Sequence, residues 1–223
     1  MKKLFVGVLC VALSLSVQGK EVNMTSPDGK YQFTLSDSGG QLHYSLTWNG
    51  KQTVKPSLLG INANVEWRDG VEIGTVDSSR KDTIWHPVYG ERSEIKDCYH
   101  AWKIVVNRQN GRDKLILDVR AYDEGIAFRY HFPGGQYLKI TDEYTEYTMP
   151  EGTKAYFTPK AQTPYSYLPL ENWPGESDRP LLLTLADGGY VCLAEAQVVD
   201  YVRTKFNVSP TKKNTVISAM YGP

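Results

Sequence analysis

Hydrophobic residues along this chain alternate with polar ones, or form short apolar runs, between turns rich in glycine, proline and asparagine. No long segment repeats its hydrophobic positions every 3.6 residues, so the pattern does not favour helices. Alternation with a period of two is typical of half-buried β-strands. It predicts strands at residues 31–35, 41–47, 61–67, 102–107, 115–122, 126–132, 181–185, 190–194 and 215–220.

Turn signals between these segments indicate how the strands connect. Asn110-Gly111 separates residues 102–107 from 115–122, Asn49-Gly50 follows another strand-like run, and Asp187-Gly188-Gly189 precedes the run at 190–194. Asn-Gly between two strand-like runs is the strongest short-range signal for a β-hairpin. Many strands of similar length with such turns predict an all-β, mainly antiparallel sandwich.

Residues 158–180 differ from their surroundings because they carry five prolines together with Tyr165, Tyr167 and Trp173. Proline cannot donate a hydrogen bond to a sheet, so we predict a long ordered loop here rather than a strand. Its aromatic residues favour a lid packed on its own sandwich. A loop that faces a substrate or a partner is the alternative, and in that case Trp173 could stack on a sugar ring.

The first residues have the features of a secretory signal peptide. Met1-Lys2-Lys3 is followed by an apolar run to Val17 and by a small residue at Gly19. We therefore expect residues 1–19 to be a signal peptide and residues 20–223 to be one exported domain, periplasmic or extracellular. Leu9 stands where a lipoprotein signal needs a small residue before Cys10. No segment reaches about 18 consecutive apolar residues, so we expect no transmembrane span.

Composition excludes several classes of protein. Lys plus Arg equals Asp plus Glu at 25 each and no basic run occurs, which argues against a nucleic-acid partner. The four histidines are spread singly and no cysteine pair has C-x-x-C spacing, so the sequence does not indicate zinc or redox chemistry. Export would permit a disulfide between Cys98 and Cys192, and the sequence leaves this pairing open.

Seven short blocks, in order, resemble the amino-terminal domain of glycoside hydrolase family 97, the secreted exo-α-glycosidases of Bacteroidetes. The resemblance covers nearly the whole predicted mature chain. The blocks are SPDGK (26–30), LHYSL (42–46), WNGK (48–51), SLLG (57–60), WHPVYGE (85–91), RAYDEGIAFRY (120–130) and YVCLAEA (190–196).

The resemblance implies a β-super-sandwich that packs on a (β/α)8 catalytic barrel of the same polypeptide, which would follow Pro223. The substrate would be an oligosaccharide with a terminal α-linked glucose or galactose. Because the family's catalytic carboxyl groups come from the barrel, we assign no catalytic residue here and expect this chain alone to be inactive. The resemblance implies that Glu195 contributes to the substrate pocket and, in the glucosidase branch, is a ligand of calcium. Calcium takes six to eight oxygen ligands, so this domain alone should bind it weakly.

Other interpretations remain open. Without the resemblance, Glu195 is a strand-end carboxylate with a local partner. We expect Glu91 to accept backbone N–H groups at a bulge, and Arg129 to pair with an acid of the sandwich. A stand-alone carbohydrate-binding module would need an exposed aromatic platform. A sugar mutarotase would need an acid and a base, typically Glu with His, in one cleft. The sequence does not distinguish glucosidase from galactosidase, or inversion from retention.

Overall fold

The computed structural model describes residues 19–109, 111–134, 137–199 and 201–220. These residues form eighteen β-strands and two short 3-10 helices, at Ser38–Gly40 and Leu170–Asn172. The strands are β1 (Glu21–Thr25), β2 (Tyr31–Ser36), β3 (Leu42–Trp48), β4 (Lys51–Leu59), β5 (Ile61–Ala63), β6 (Val65–Glu66), β7 (Val71–Trp85), β8 (Ile95–Arg108), β9 (Lys114–Tyr122), β10 (Gly125–His131), β11 (Ile140–Glu143), β12 (Glu146–Thr148), β13 (Lys154–Phe157), β14 (Ser166–Pro169), β15 (Leu181–Thr184), β16 (Tyr190–Leu193), β17 (Thr204–Val208) and β18 (Thr215–Met220). The predicted all-β fold is confirmed.

Four antiparallel sheets build the domain. Sheet I has seven strands in the order β1-β2-β3-β4-β12-β18-β17. Sheet II has the order β10-β9-β8-β7, sheet III the order β11-β5-β6, and sheet IV the order β14-β13-β15-β16. One hydrophobic core includes residues of all four sheets, as expected when sheets pack face to face as a sandwich.

Alternation along β2 and β3 shows how the sequence makes this core. Phe33 and Leu35 alternate with polar residues on β2, and Leu46 and Tyr44 lie directly opposite them on β3. The rings of Phe33 and Tyr44 stack with their centroids 5.1 Å apart, and Phe128 of sheet II lies 5.8 Å from Tyr44. Sheets I and II therefore meet through side chains with a period of two.

The turn predictions have two outcomes. Asn49 and Gly50 have φ of 50° and 74° in a two-residue turn between β3 and β4, the left-handed geometry that Asn-Gly favours. Gly188 has φ of 92° in the turn between β15 and β16. Asn110 lies outside the described residues, but the strands on either side of it, β8 and β9, pair antiparallel, which confirms the predicted hairpin.

Strands β7 and β8 form a hairpin that is longer than the sheet around it. β7 pairs with β8 from Val71 to Trp85, whereas β9 pairs with β8 only from Tyr99 onward. The outer part is therefore a two-stranded arm, with exposed Trp85, Val88 and Tyr89 at its end. Glu91 lies exposed in the loop at this tip. Our expectation that Glu91 accepts backbone N–H groups at a bulge was therefore wrong, because the tip loop is not a bulge in a ladder.

The segment at residues 158–180 is only partly a loop. Ser166–Pro169 forms strand β14, which pairs with β13 at the edge of sheet IV. The prediction that the prolines exclude a strand was wrong here because Pro169 is the last residue of an edge strand, where a missing N–H is tolerated. Leu170 is buried, so this segment does pack on its own sandwich.

Two further expectations concern the termini and the cysteines. Residues 1–18, which hold nearly all of the predicted signal peptide, lie outside the described residues. Within the described ranges, no helix has the length and apolar character needed to cross a membrane. Cys98 and Cys192 are both free thiols, the first buried and the second exposed, so the structure does not contain the disulfide that the sequence left open.

Candidate functional site

Glu195 lies two residues beyond the end of β16, at a cleft of about 450 Å³. We call this space the Glu195 cleft. Strand β10, the end of β11 and the segment after β16 line it, together with Tyr147, Tyr201 and Thr204. β16 ends at Leu193, where the chain leaves sheet IV. Glu195 therefore does not pair within the sheet, and it lines the cleft.

The carboxylate of Glu195 is fixed by two donors. Arg179 Nε lies 2.8 Å from Glu195 Oε2, and the backbone N–H of Thr204 donates to the same oxygen at 2.9 Å. The side chain of Glu195 is 18% exposed and that of Arg179 27%. Charge-assisted bonds in such partial burial orient a carboxylate firmly. Both bonds use Oε2, so neither of these two donors occupies Oε1.

A second carboxylate, Glu143, lines the same cleft. Thr145 Oγ1 donates to Glu143 Oε1 at 2.7 Å, and the hydroxyl of Tyr201 donates to Oε2 at 2.8 Å. Tyr130 continues this network, because its hydroxyl lies 3.1 Å from Thr145 Oγ1 and accepts the backbone N–H of Gly60 at 3.0 Å. Each oxygen of Glu143 therefore already has a donor.

The tyrosines of the cleft are held in their neutral form. Burial, and then the nearby Glu143 carboxylate, raise the pKa of Tyr130 and of Tyr201 above the ordinary value. The pKa of Tyr147 is raised by burial and by Glu143 and Glu195. A neutral tyrosine keeps its proton to donate, so the bond from Tyr201 to Glu143 should persist at any physiological pH.

The described residues do not form a calcium site by themselves. Within them, no group of three or more His, Cys, Asp or Glu side chains comes together as metal ligands do. Arg179 also places a positive charge beside Glu195, which opposes a cation that has no further anionic ligands. Glu195 Oε1 can serve as one ligand of a calcium ion whose other ligands come from elsewhere.

Trp173 and Arg129 make their contacts with residues other than Glu195, although Arg129 of β10 does line the Glu195 cleft. Trp173 is half-buried, and its ring packs on Phe157 with the centroids 5.4 Å apart. It does not line the Glu195 cleft. Arg129 Nε lies 2.9 Å from Asp118 Oδ2, which confirms that Arg129 pairs with an acid of the sandwich.

Three residues were given no role from the sequence: Glu143 and Tyr201, which line the cleft, and Arg179, which pairs with Glu195. Arg179 precedes Pro180 at the end of the proline-rich segment, and Glu143 ends the short strand β11. Neither has a motif around it. Arg179 lies close to Glu195 because Leu181 of β15 pairs with Leu193 of β16 within sheet IV, whereas Glu143 belongs to sheet III. The separation of residues 143, 179 and 195 along the sequence conceals both relations.

The fold and the cleft define the class of protein. It is an all-β sandwich domain in which a carboxylate, that of Glu195, is paired with Arg179 at a surface cleft. The chain belongs to the glycosyl-hydrolase 97 N-terminal family, whose model matches residues 24–222. Over its whole length the chain is 25% identical to 36% of a retaining alpha-galactosidase from Bacteroides thetaiotaomicron.

Solved structures show the same fold. The chain superposes with a TM-score of 0.82 on a glycoside hydrolase family 97 enzyme from Pseudoalteromonas sp. in complex with panose. It superposes with a TM-score of 0.80 on a beta-arabinopyranosidase. Identity is 22% in both comparisons, which cover 89% of this chain and 32% and 35% of those chains. The chain thus spans about a third of the length of the relatives that it matches.

Proposed function

We propose that this chain is the amino-terminal domain of an exported α-glycosidase that removes a terminal α-linked glucose or galactose from an oligosaccharide. In this proposal the domain packs on a catalytic barrel of the same polypeptide and contributes Glu195 to the edge of the substrate pocket. Family membership and the name of the retaining alpha-galactosidase relative support the reaction class. The observation that carries the proposal is the Glu195 carboxylate, fixed at a cleft by two donors that both bind Oε2.

The role of the domain's own residues is positioning. Arg179 and the N–H of Thr204 hold Glu195 Oε2, so that Oε1 keeps one direction toward the neighbouring domain. Calcium, if the parent belongs to the glucosidase branch, would polarise groups of the substrate site and would take Oε1 as one ligand. The remaining ligands would come from the barrel.

The arm of β7 and β8 supports the packing part of the proposal. Val88 and Tyr89 are 99% and 90% exposed at its end, next to Trp85 at 49%. Large apolar residues clustered at an exposed tip are typical of a surface that another domain covers. The relatives are about three times as long as this chain, which leaves ample polypeptide to form such a domain.

The alternatives receive unequal support. The lining of the Glu195 cleft, as far as the described residues form it, contains Glu143 and Glu195 but no histidine, which does not favour a mutarotase that uses Glu with His. A carbohydrate-binding module needs exposed aromatic rings, and Trp48 and Tyr190 are 43% and 71% exposed.

The decisive test is Glu195→Gln in the full-length parent enzyme, with p-nitrophenyl α-galactoside and α-glucoside as substrates. Because the change keeps the shape but removes the charge, kcat/KM should fall about 10- to 100-fold, as when a metal site or its support is perturbed. In the calcium branch, calcium affinity measured by titration should fall as well.

Glu72→Gln, the same change at an exposed position of β7, serves as the matched control and should behave as wild type. Residues 20–223 alone should give no turnover. Unchanged kinetics and calcium affinity in Glu195→Gln would return Glu195 to a purely structural role.

A further inference from the structure

A second and larger space opens beside the Glu195 cleft. It measures about 1260 Å³ and extends from the turns around Trp48 and Gly189 along β10 and β16. We call it the aromatic groove. It shares Phe128, Tyr147, Leu193 and Ala194 with the Glu195 cleft, so the two spaces adjoin. Its volume exceeds that of a typical pocket for one small molecule and suits an extended ligand.

The groove exists because two sheets end beside each other without pairing. Strand β10 is the edge of sheet II and β16 is the edge of sheet IV, and both line the groove. Between these edges, buried Val54 and partly buried Leu46 of sheet I line the groove. An edge strand presents unpaired backbone N–H and C=O groups, so these two strands offer hydrogen-bonding groups along an apolar face.

At the open end of the groove, β2 and β3 continue the row of side chains that face the core. Tyr31 and Trp48 lie directly opposite each other on β2 and β3, on the same face as the buried pair Phe33 and Leu46. Trp48 is nevertheless 43% exposed, and Tyr190 at the start of β16 is 71% exposed. Among the described residues, neither ring stacks on another ring or contacts a cation. Both ring systems are therefore available to a ligand.

The charges of the groove are mixed and largely paired. Lys51 Nζ lies 2.7 Å from Asp187 Oδ2 and joins the turn after β3 to the turn before β16. Lys30 pairs with Asp28 at 2.9 Å, and Asp123 accepts the backbone N–H of Asp28 at 2.8 Å. Such a rim supplies hydrogen bonds but no field that would select an ion. A neutral ligand with hydroxyl groups fits it best.

We propose that the aromatic groove is a binding site for a neutral oligosaccharide, with Trp48 and Tyr190 as its stacking platforms. A pyranose ring has an apolar C–H face that packs on an aromatic ring, while its hydroxyls bond to polar groups at the ring's edge. The groove provides both elements along its length. This goes beyond the proposed function, because it involves neither Glu195 nor catalysis. Trp173, for which the sequence left stacking on a sugar as an alternative, packs on Phe157 and does not line this groove.

The experiment is a calorimetric titration of the chain with maltotriose and with panose, at concentrations up to roughly 10 mM because weak sites have millimolar dissociation constants. Wild type should bind both trisaccharides. Trp48→Ala and Tyr190→Ala should each raise the Kd about tenfold, which corresponds to a loss of ~1.4 kcal/mol. Tyr190→Phe keeps the ring and should stay within about threefold of wild type.

Trp85→Ala is the matched control, because Trp85 is 49% exposed at the tip of the arm and lies outside the groove. It should bind as wild type does. Circular dichroism establishes that each variant is folded. Absence of binding by wild type, or equal binding by wild type and Trp48→Ala, would overturn the proposal. So would self-association that Trp48→Ala abolishes, since the groove would then be an interface between copies. The assay needs no turnover, so its result is independent of the Glu195→Gln test.

Discussion

The two ends of the adjoining spaces differ in how their side chains are held. At the Glu195 end, Arg179 and Thr204 engage one carboxylate, while Thr145 and Tyr201 engage the other. At the Trp48 end, Trp48 and Tyr190 are exposed, and within the described part of the chain their rings stack on no other ring. The same floor, around Phe128 and Tyr147, extends beneath both.

This difference in how the side chains are held suits the two ends to different functions. Metal binding and catalysis need groups held in a fixed geometry, which a carboxylate with two donors provides before any ligand arrives. Stacking on a sugar needs only an accessible ring and tolerates small shifts of the ligand. The ordered end therefore fits a site completed by another domain. The end with the exposed rings fits a surface that binds an oligosaccharide reversibly.

The largest effect is expected in the core beneath the aromatic groove, where Phe33 should have a structural role. Phe33 is 1% exposed and stacks on Tyr44, so Phe33→Ala removes a ring from the centre of the core. We expect it to lower the free energy of unfolding by about 3–5 kcal/mol in urea titrations. Trp48→Ala should cost less than about 1 kcal/mol, because that ring is half in solvent. Similar losses for both variants would mean that the Trp48 end belongs to the core after all.

A smaller effect on stability should distinguish the ion pair between Arg179 and Glu195 from an ordinary surface ion pair. Arg179→Met leaves Glu195 with one donor, and we expect a loss of roughly 1.5 kcal/mol, the low end for bonds to charged groups because solvent reaches both side chains. The double variant with Glu195→Gln should recover part of this loss. A double-mutant cycle in urea measures the coupling.

Arg129→Met is the matched control for this cycle. Arg129 also places Nε 2.9 Å from a carboxylate, that of Asp118, but its side chain is 69% exposed. Exposed pairs contribute about 0–1 kcal/mol, so this variant should be nearly neutral. Equal losses for Arg179→Met and Arg129→Met would show that Glu195 is held no more firmly than a surface carboxylate.

Much of the fold could be predicted from local pattern, because strands with one buried face carry a period of two. The predicted residues 215–220 coincide with β18, and 31–35 and 190–194 differ from β2 and β16 by one residue. β7 was missed because its outer half is exposed on both faces, so its sequence has no alternation. β14 was missed because proline suggested a loop, and β17 and the short strands β11 and β12 carry too little pattern to be recognised.

The site could be predicted only as far as one residue. Glu195 was selected through the resemblance, since a strand-end glutamate has no signal of its own. Its partner Arg179 precedes β15, the strand that pairs with β16 in sheet IV, and the second carboxylate Glu143 ends β11 of sheet III. Pairing between separate strands and packing between sheets are tertiary features, which local periodicity does not encode. Trp48 was noted only as part of a hairpin block, because exposure of a ring cannot be derived from its neighbours in sequence.

The smallest expected effect concerns the ion pair at the Trp48 end. The hydrogen bond from Lys51 lowers the pKa of Asp187 from its ordinary value, with a further contribution from the N–H of Gly189. A depressed folded-state pKa gives stability that is present above the unfolded value of about 3.9 and is lost as the pH falls through the folded value. Asp187→Asn should therefore lower the melting temperature slightly at pH 7, and the difference from wild type should vanish toward pH 2.

Lys51→Met should show the same trend, since it removes the other partner of the ion pair. Thermal melts at pH 7, 5, 4, 3 and 2 measure both. A difference that grows on acidification would contradict the assigned pair, and the link between the two turns that border Trp48 and Tyr190 would then have another origin.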